Sequence, residues 1–198
     1  MTNFKTKEEH MQFRYMLENT RFTQRQMSRD VKIKHGARIS NFVRWLEDFK
    51  MVKKTIDQKG KSIYEVPSRN ALLNFYSRYR DMKNEEIGIY RIGPDPEFTM
   101  NYLSKNGAIM CLTSALRFYD DYARDPELHA YVEKPELIDD IKSSEGNIIV
   151  HLYWYKYPDD SRIENKIHVT SPTRTIMDLY CNNMAYLAER LIARLWRL

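Results

Sequence analysis

The sequence contains only two cysteines, Cys111 and Cys181, and only five histidines. Two isolated cysteines cannot form a disulfide framework, and their apolar or helical surroundings predict that both are reduced and lie in or near the core. The histidines have none of the spacings that are typical of metal ligands. The sequence therefore predicts no metal site and no cofactor.

Long hydrophobic runs are missing as well. No apolar stretch approaches the roughly 20 residues that a membrane-spanning helix needs. Residues 1–10 also lack the apolar core of a secretory signal. These absences predict a cytoplasmic protein that has no membrane partner.

Catalytic motifs are absent too: there is no Gly-rich phosphate loop, no G-x-S-x-G elbow and no kinase signature. The acid pairs at 120–121, 139–140 and 159–160 are adjacent in sequence, so their side chains diverge, whereas paired catalytic acids must converge. A metal-dependent nuclease needs an acid-x-lysine on a buried strand, and the run from Glu145 to Lys156 supplies only its first acid and its last lysine. We predict no catalytic residue, and a metal-dependent nuclease stays only as one of the two alternatives given below.

The charge is divided unequally along the chain. Residues 1–84 carry 19 Lys/Arg against 9 Asp/Glu, a net charge of +10, whereas residues 85–198 carry 13 against 18, a net charge of −5. This asymmetry indicates a basic module that binds a polyanion, joined to a second domain with another role. An anionic membrane is the competing polyanion, and the missing apolar run and secretory signal count against it.

Two short helices are predicted in the basic part. Thr23 can cap a helix over residues 24–31, with Gln26 three residues later in a capping box, and a polar turn follows at residues 32–36. A second helix then has an apolar residue at every third or fourth position. Its inward residues are Ile39, Phe42, Val43, Leu46 and Phe49.

The opposite face of this second helix carries Arg38, Asn41 and Arg44. Arg can donate two hydrogen bonds to guanine, Asn can pair with adenine, and a helix fits the major groove of B-DNA. These three residues are therefore predicted to read bases in double-stranded DNA, an operator. The alternative for a helix considered in isolation is a solvated polar face.

A basic hairpin follows at once. Two β-prone runs, residues 51–56 and 62–66, flank a turn in which Gly60 can adopt a positive φ. Together with the two helices this order predicts a winged helix-turn-helix, and its lysines suit contact with phosphates. The predicted phosphate-binding residues are Lys32, Lys34, Lys53, Lys54, Lys59 and Lys61.

The predicted fold class is α+β. A winged helix occupies residues 1–66, a connecting helix residues 67–84, and a mixed α+β domain residues 85–198. In this last domain we predict a buried helix over residues 108–119 and a strong strand over residues 147–157 that pairs with residues 163–169. Alternation places Tyr153, Tyr155 and Tyr157 on one face of the strand and Trp154 on the other.

Two segments of the second part, CLTSALRFYDDYA (residues 111–123) and IHVTSPTRTIMDL (residues 167–179), resemble the best-marked segments of AbiEi-type antitoxins of type IV toxin–antitoxin systems. The resemblance implies a repressor of its own operon that counteracts a nucleotidyltransferase-like toxin without a stable complex. Ser171, Arg174 and Asp178 match the family motif. The resemblance implies that Arg174 and Asp178 form a structural pair four residues apart on one helix face. Ser171, which precedes Pro172, is predicted from the residues themselves to cap this helix.

Two alternatives from other functional classes stay open at this point. The chain can be a winged-helix protein-interaction module that uses the aromatic strand to hold a partner, or a metal-dependent nuclease that acts through its second domain. The lysines of the hairpin favour DNA binding over the protein-interaction module, because a purely protein-binding hairpin does not need four cations.

Overall fold

The structure, a computed structural model, describes residues 6–33, 36–134, 146–157 and 160–197. It contains both helices and strands, so the α+β class is confirmed. The chain divides into two compact units, Met1–Arg80 and Asp81–Leu198. The segment 67–84, predicted as a connector, is therefore divided, and the helix within it is part of the first unit.

The first unit combines helices with a small sheet. Its elements are α1 (Lys7–Glu18), β1 (Arg21–Phe22), α2 (Gln24–Val31), α3 (Gly36–Asp48), β2 (Lys53–Ile56), β3 (Ser62–Glu65) and α4 (Arg69–Ser77). The central strand β3 pairs antiparallel with β1 on one side and with β2 on the other.

Side-chain caps define where these helices begin. Thr23 accepts a hydrogen bond from the backbone N–H of Gln26, whose side chain accepts in return from the backbone N–H of Thr23, so α2 begins with the predicted capping box. Thr6 and Glu9 form the same box at the start of α1. These caps satisfy N–H groups that a helix leaves unpaired in its first turn.

An aromatic cluster forms the core of this unit. The ring of Phe13 on α1 packs edge-on against Phe42 of α3 at 5.4 Å and contacts Tyr76 of α4 at 4.9 Å, and all three side chains are buried. The buried His10 lies 2.6 Å, Nδ1 to Oη, from the hydroxyl of Tyr76. The cluster therefore holds α1, α3 and α4 together.

The prediction that Phe49 points inward is wrong, because its side chain is 47% exposed. Helix α3 ends one residue earlier, at Asp48, and Lys50 adopts a positive φ of 60° that redirects the chain. The ring of Phe49 contacts Trp45 and Phe75 from outside the core, at centroid distances of 5.5 and 5.1 Å.

The second unit is built on a mixed sheet. Its elements are β4 (Glu86–Ile92), α5 (Pro96–Lys105), β5 (Ile109–Met110), α6 (Leu112–Leu116), β6 (Leu128–Val132), β7 (Ile148–Trp154), β8 (Ser161–Glu164), β9 (Ile167–Thr170), α7 (Pro172–Cys181) and α8 (Glu189–Trp196). The strand order in the described residues is β4-β7-β6-β5-β9-β8. Pairing is antiparallel except between β7 and β6 and between β5 and β9.

The predicted helix over residues 108–119 is only partly correct. Its first part is the strand β5, buried between β6 and β9, and only Leu112–Leu116 is helical. Leu112 has a positive φ of 48° at the junction. A strand that is covered on both faces is apolar at every position, so its pattern does not distinguish it from a buried helix.

The predicted pairing of residues 147–157 with residues 163–169 is also wrong. The strand itself exists, as β7, but it lies between β4 and β6 in the sheet. The hairpin of this region joins β8 to β9 through Asn165 and Lys166, which both have a positive φ. A two-residue turn of this kind usually contains Gly, and its absence here weakens the sequence signal.

Other features of the second unit agree with the sequence. Tyr153, Tyr155 and Tyr157 are buried, whereas Trp154 is 41% exposed, as alternation predicts. Cys111 and Cys181 are buried. Among the described helices, none has the length and apolar character needed to cross a bilayer.

Candidate nucleic-acid interface

The exposed face of α3 is the centre of the candidate interface. Ile39, Val43 and Leu46 are buried, and this buried stripe fixes the rotation of the helix. Three polar residues at three-residue spacing lie on the opposite face, and all are exposed: Arg38, Asn41 and Arg44. The fold thus brings the predicted base-reading residues together on one outward surface.

Arg38 on this face forms a salt bridge with Glu8. Its Nη1 donates a hydrogen bond to Oε2 of Glu8 on α1 at 2.6 Å, although 60% of the Arg38 side chain remains exposed. A carboxylate therefore lies beside the predicted DNA-binding face, where it partly neutralises one of the two arginines. The sequence did not predict this contact, because the two residues are 30 positions apart.

Arg44 lies near the sheet of the same unit. Burial raises the pKa of the Tyr64 hydroxyl on β3; the nearby Glu47 adds to the shift, and Arg44 opposes it. The hydroxyl of Tyr64 also accepts a hydrogen bond from the amide of Gln24 at the start of α2, at 3.0 Å. Tyr64 thus links α2 to β3 close to the guanidinium of Arg44.

The hairpin turn is rigidly built. Oδ1 of Asp57 accepts hydrogen bonds from the backbone N–H groups of Lys59 and Lys61, both at 2.8 Å, and the N–H of Gly60 donates to the carbonyl of Asp57 at 3.0 Å. Gly60 has a φ of 74°, which favours glycine. Asp57 therefore orders the loop that carries two of the predicted phosphate-binding lysines.

The lysines of the hairpin are all exposed: Lys53, Lys54, Lys59 and Lys61. Lys32 is exposed as well, and it is the residue in the left-handed conformation that ends α2. Lys34, the remaining predicted phosphate-binding residue, lies outside the described residues. The first unit thus presents several cations together with the outward face of α3.

A shallow groove between the start of α2 and strand β3 adds to this surface. It is lined on one side by Arg25 and Gln24 and on the other by Lys61 and Ser62. Arg25 is exposed and was not predicted as a contact residue. Its position in the first turn of α2 was the available signal, since polar residues near helix N-termini often contact phosphates.

The residues that carry the sequence resemblance in the second unit occupy its core. Arg174 and Asp178 on α7 are both fully buried, and Nε of Arg174 donates to Oδ1 of Asp178 at 2.8 Å. The guanidinium also donates to the Tyr131 hydroxyl at 3.2 Å and to the carbonyl of Tyr157 at 3.4 Å. Ser171 caps α7 by accepting from the N–H of Arg174. None of these groups is accessible to a ligand.

The described residues of the second unit also contain a chain of polar side chains across β4, β7 and β6. His151 lies between two carboxylates, with Nδ1 at 2.6 Å from Glu86 and Nε2 at 2.9 Å from Glu127. Its ring stacks on that of His129 at 4.9 Å, and Nε2 of His129 is 3.6 Å from Oδ2 of Asp125. This row of polar side chains connects the loop before β6 to two central strands, β6 and β7.

Within this row of polar side chains, Asp125 is held by several contacts. The pKa of Asp125 is lowered to about 2, chiefly by the neighbouring His129 side chain and further by hydrogen bonds from the backbone N–H of Glu127 and the hydroxyl of Thr113. Burial of the carboxyl raises the pKa and so offsets part of this lowering. In the described part of the chain, no group of three or more His, Cys, Asp or Glu side chains could hold a metal ion.

No protein-family model matches this chain, and no curated protein or solved structure matches it significantly.

Proposed function

We propose that this protein is a DNA-binding transcriptional regulator whose first unit is a winged helix-turn-helix. The observation that carries the proposal is the outward face of α3, where Arg38, Asn41 and Arg44 are exposed at three-residue spacing. Helix α3 would enter the major groove and present these residues to base edges.

The lysine hairpin supports the same proposal. Strands β2 and β3 with their turn form the wing, and the exposed lysines would contact phosphates on either side of the groove. Because Asp57 accepts hydrogen bonds from the backbone N–H groups of Lys59 and Lys61, the backbone that carries these two lysines is ordered before DNA arrives, and less backbone entropy would be lost on binding.

A finer proposal concerns the biological setting. The resemblance of residues 111–123 and 167–179 to AbiEi-type antitoxins favours a repressor of its own operon that counteracts a nucleotidyltransferase-like toxin without a stable complex. Expression of this chain together with the product of an adjacent nucleotidyltransferase-like gene tests it. Relief of growth arrest supports the antitoxin role, and persistent arrest leaves a plain regulator.

DNA binding is tested by fluorescence anisotropy with two duplexes of equal length, one from the region upstream of its own gene and one scrambled, at about 50 and 200 mM salt. The test variant replaces Lys53, Lys54, Lys59 and Lys61 by Gln. The control variant removes the same charge from exposed lysines of the second unit: Lys83, Lys105, Lys134 and Lys156.

We expect the wild type to bind the upstream duplex more tightly than the scrambled one. The test variant lacks four lysines and should therefore flatten the salt dependence by up to about 3.6 in the log–log slope, since each phosphate contact contributes about 0.9. The control variant should keep the wild-type slope. Absence of binding at the lower salt, or equal losses in both variants, contradicts the proposal; a protein-interaction module would give the first result.

A further inference from the structure

Strand β8 (Ser161–Glu164) forms one edge of the sheet in the second unit. It pairs with β9 on one side only, and no described strand lies on its other side. Its first three residues are exposed, and the Ile163 side chain is 66% exposed. An open edge strand presents unpaired N–H and C=O groups that favour pairing with another strand.

The hairpin geometry identifies which backbone groups face outward. Asn165 and Lys166 have φ values of 49° and 69°, so the β8–β9 turn has two central residues with positive φ. In such a hairpin the pair beside the turn, Glu164 and Ile167, exchanges both backbone hydrogen bonds, and the pattern alternates along the strand. Ile163 therefore directs its N–H and C=O away from β9.

The side chains around Ile163 are self-complementary. Arg162 precedes it and Glu164 follows it, so the two flanking charges are opposite in sign. When a second β8 runs antiparallel across a two-fold axis at Ile163, Arg162 of each strand lies opposite Glu164 of the other. Opposite charges in directly opposed positions stabilise a strand pair, and like charges destabilise it.

The other edge of the sheet lacks this property. Strand β4 has a bulge between Glu86 and Gly88, and a bulge protects an edge from pairing. An antiparallel self-pair centred on its exposed Ile89 would oppose Ile87 with Arg91 and would bring no opposite charges together. The charge pattern therefore selects β8 rather than β4.

We propose that β8 pairs antiparallel with β8 of a second copy of this chain, about a two-fold axis through Ile163. The two Ile163 residues exchange backbone hydrogen bonds at the centre, and two Arg162–Glu164 pairs flank them. A strand of four residues buries less than the roughly 1,200 Å² of a standard stable interface, so the dimer is weak and reversible. The proposal is independent of DNA binding.

Charge reversal gives a specific test by sedimentation velocity of the full chain, from micromolar to submillimolar concentration. Arg162→Glu places two glutamates opposite each other, and Glu164→Arg does the same with two arginines, so each single variant should remain monomeric. An equimolar mixture of the two variants should form a heterodimer, and the double variant R162E/E164R should form a homodimer again. Circular dichroism checks that every variant is folded.

Ile163→Pro provides a second, backbone-directed test. Proline removes the outward N–H of residue 163 and leaves the hydrogen bonds between β8 and β9 intact, so this variant should be monomeric while its thermal unfolding resembles that of the wild type. A wild type that stays monomeric over the whole range overturns the proposal. Single reversals that dimerise like the wild type, or a folded double variant that stays monomeric, overturn it equally.

Discussion

The guanidinium of Arg174 lies 2.8 Å from the carboxylate of Asp178 on the next turn of α7, and both side chains are fully buried. The guanidinium carbon also lies 5.3 Å from the centre of the Tyr131 ring. Removal of one member of such a pair leaves a buried charge without its counterion. We therefore expect Arg174→Met to lower the free energy of unfolding by about 3–5 kcal/mol.

The double variant R174M/D178L separates the effect of the unpaired charge from the effect of lost packing. It removes both charges, so we expect it to be more stable than Arg174→Met alone. Urea unfolding followed by fluorescence measures both; Trp154 and Trp196 report on the second unit and Trp45 on the first. Equal losses in the single and double variants would show that packing, and not the unpaired charge, determines the effect.

The acid limb of the stability profile should depend on Asp125. Because the folded chain holds its pKa at about 2, below the ordinary value of 3.8, ionised Asp125 stabilises the folded state above about pH 4. That contribution, about 2 kcal/mol, is lost as the pH falls from about 4 through 2. Urea unfolding at a series of pH values should show a steeper loss for the wild type than for Asp125→Asn.

Asp121→Asn is the matched control, since it removes an exposed carboxyl from the same loop. It should follow the wild-type profile at low pH. An Asp125→Asn profile that coincides with that of the wild type below pH 4 would show that the surroundings of Asp125 do not favour its charged form.

The sequence predicted the local elements of the first unit well because their signals are local. A cap such as Thr23 and a turn glycine such as Gly60 act within a few residues of their own position. The bounds of α2 were predicted to the residue for this reason.

The errors have a different origin. The first part of the helix predicted over residues 108–119 was wrong because the pairing of β5 with β6 and β9 depends on residues that are distant in sequence. The contact between Arg38 and Glu8 joins α3 to α1 across 30 positions, and no spacing rule predicts it. The exposed face of α3 was thus predictable from the sequence, but the acid beside it was not.

The contact between Glu8 and Arg38 should weaken DNA binding in the wild type. The carboxylate neutralises Arg38 and repels phosphates, so Glu8→Gln should tighten binding to both the upstream and the scrambled duplex. An exposed ion pair contributes up to about 1 kcal/mol, which limits the gain to roughly fivefold. Anisotropy titrations measure it, with Glu18→Gln as control because this exposed residue lies at the other end of α1.

Tighter DNA binding by Glu8→Gln has two candidate causes. One is the release of Arg38, and the other is the loss of a negative charge that repels phosphates. In the double variant E8Q/R38A the gain should vanish if it depends on Arg38. A gain that persists in the double variant would assign the effect to phosphate repulsion by Glu8 alone.

Base reading and phosphate contact predict different losses within one surface. Arg44→Ala should remove about 1–3 kcal/mol of discrimination between the upstream and the scrambled duplex, because a bidentate contact to guanine depends on the base. Lys59→Ala should weaken binding to both duplexes equally and flatten the salt dependence by about 0.9. Anisotropy titrations at two salt concentrations separate the two effects. Equal losses on both duplexes for Arg44→Ala would show that Arg44 contacts phosphate and does not read a base.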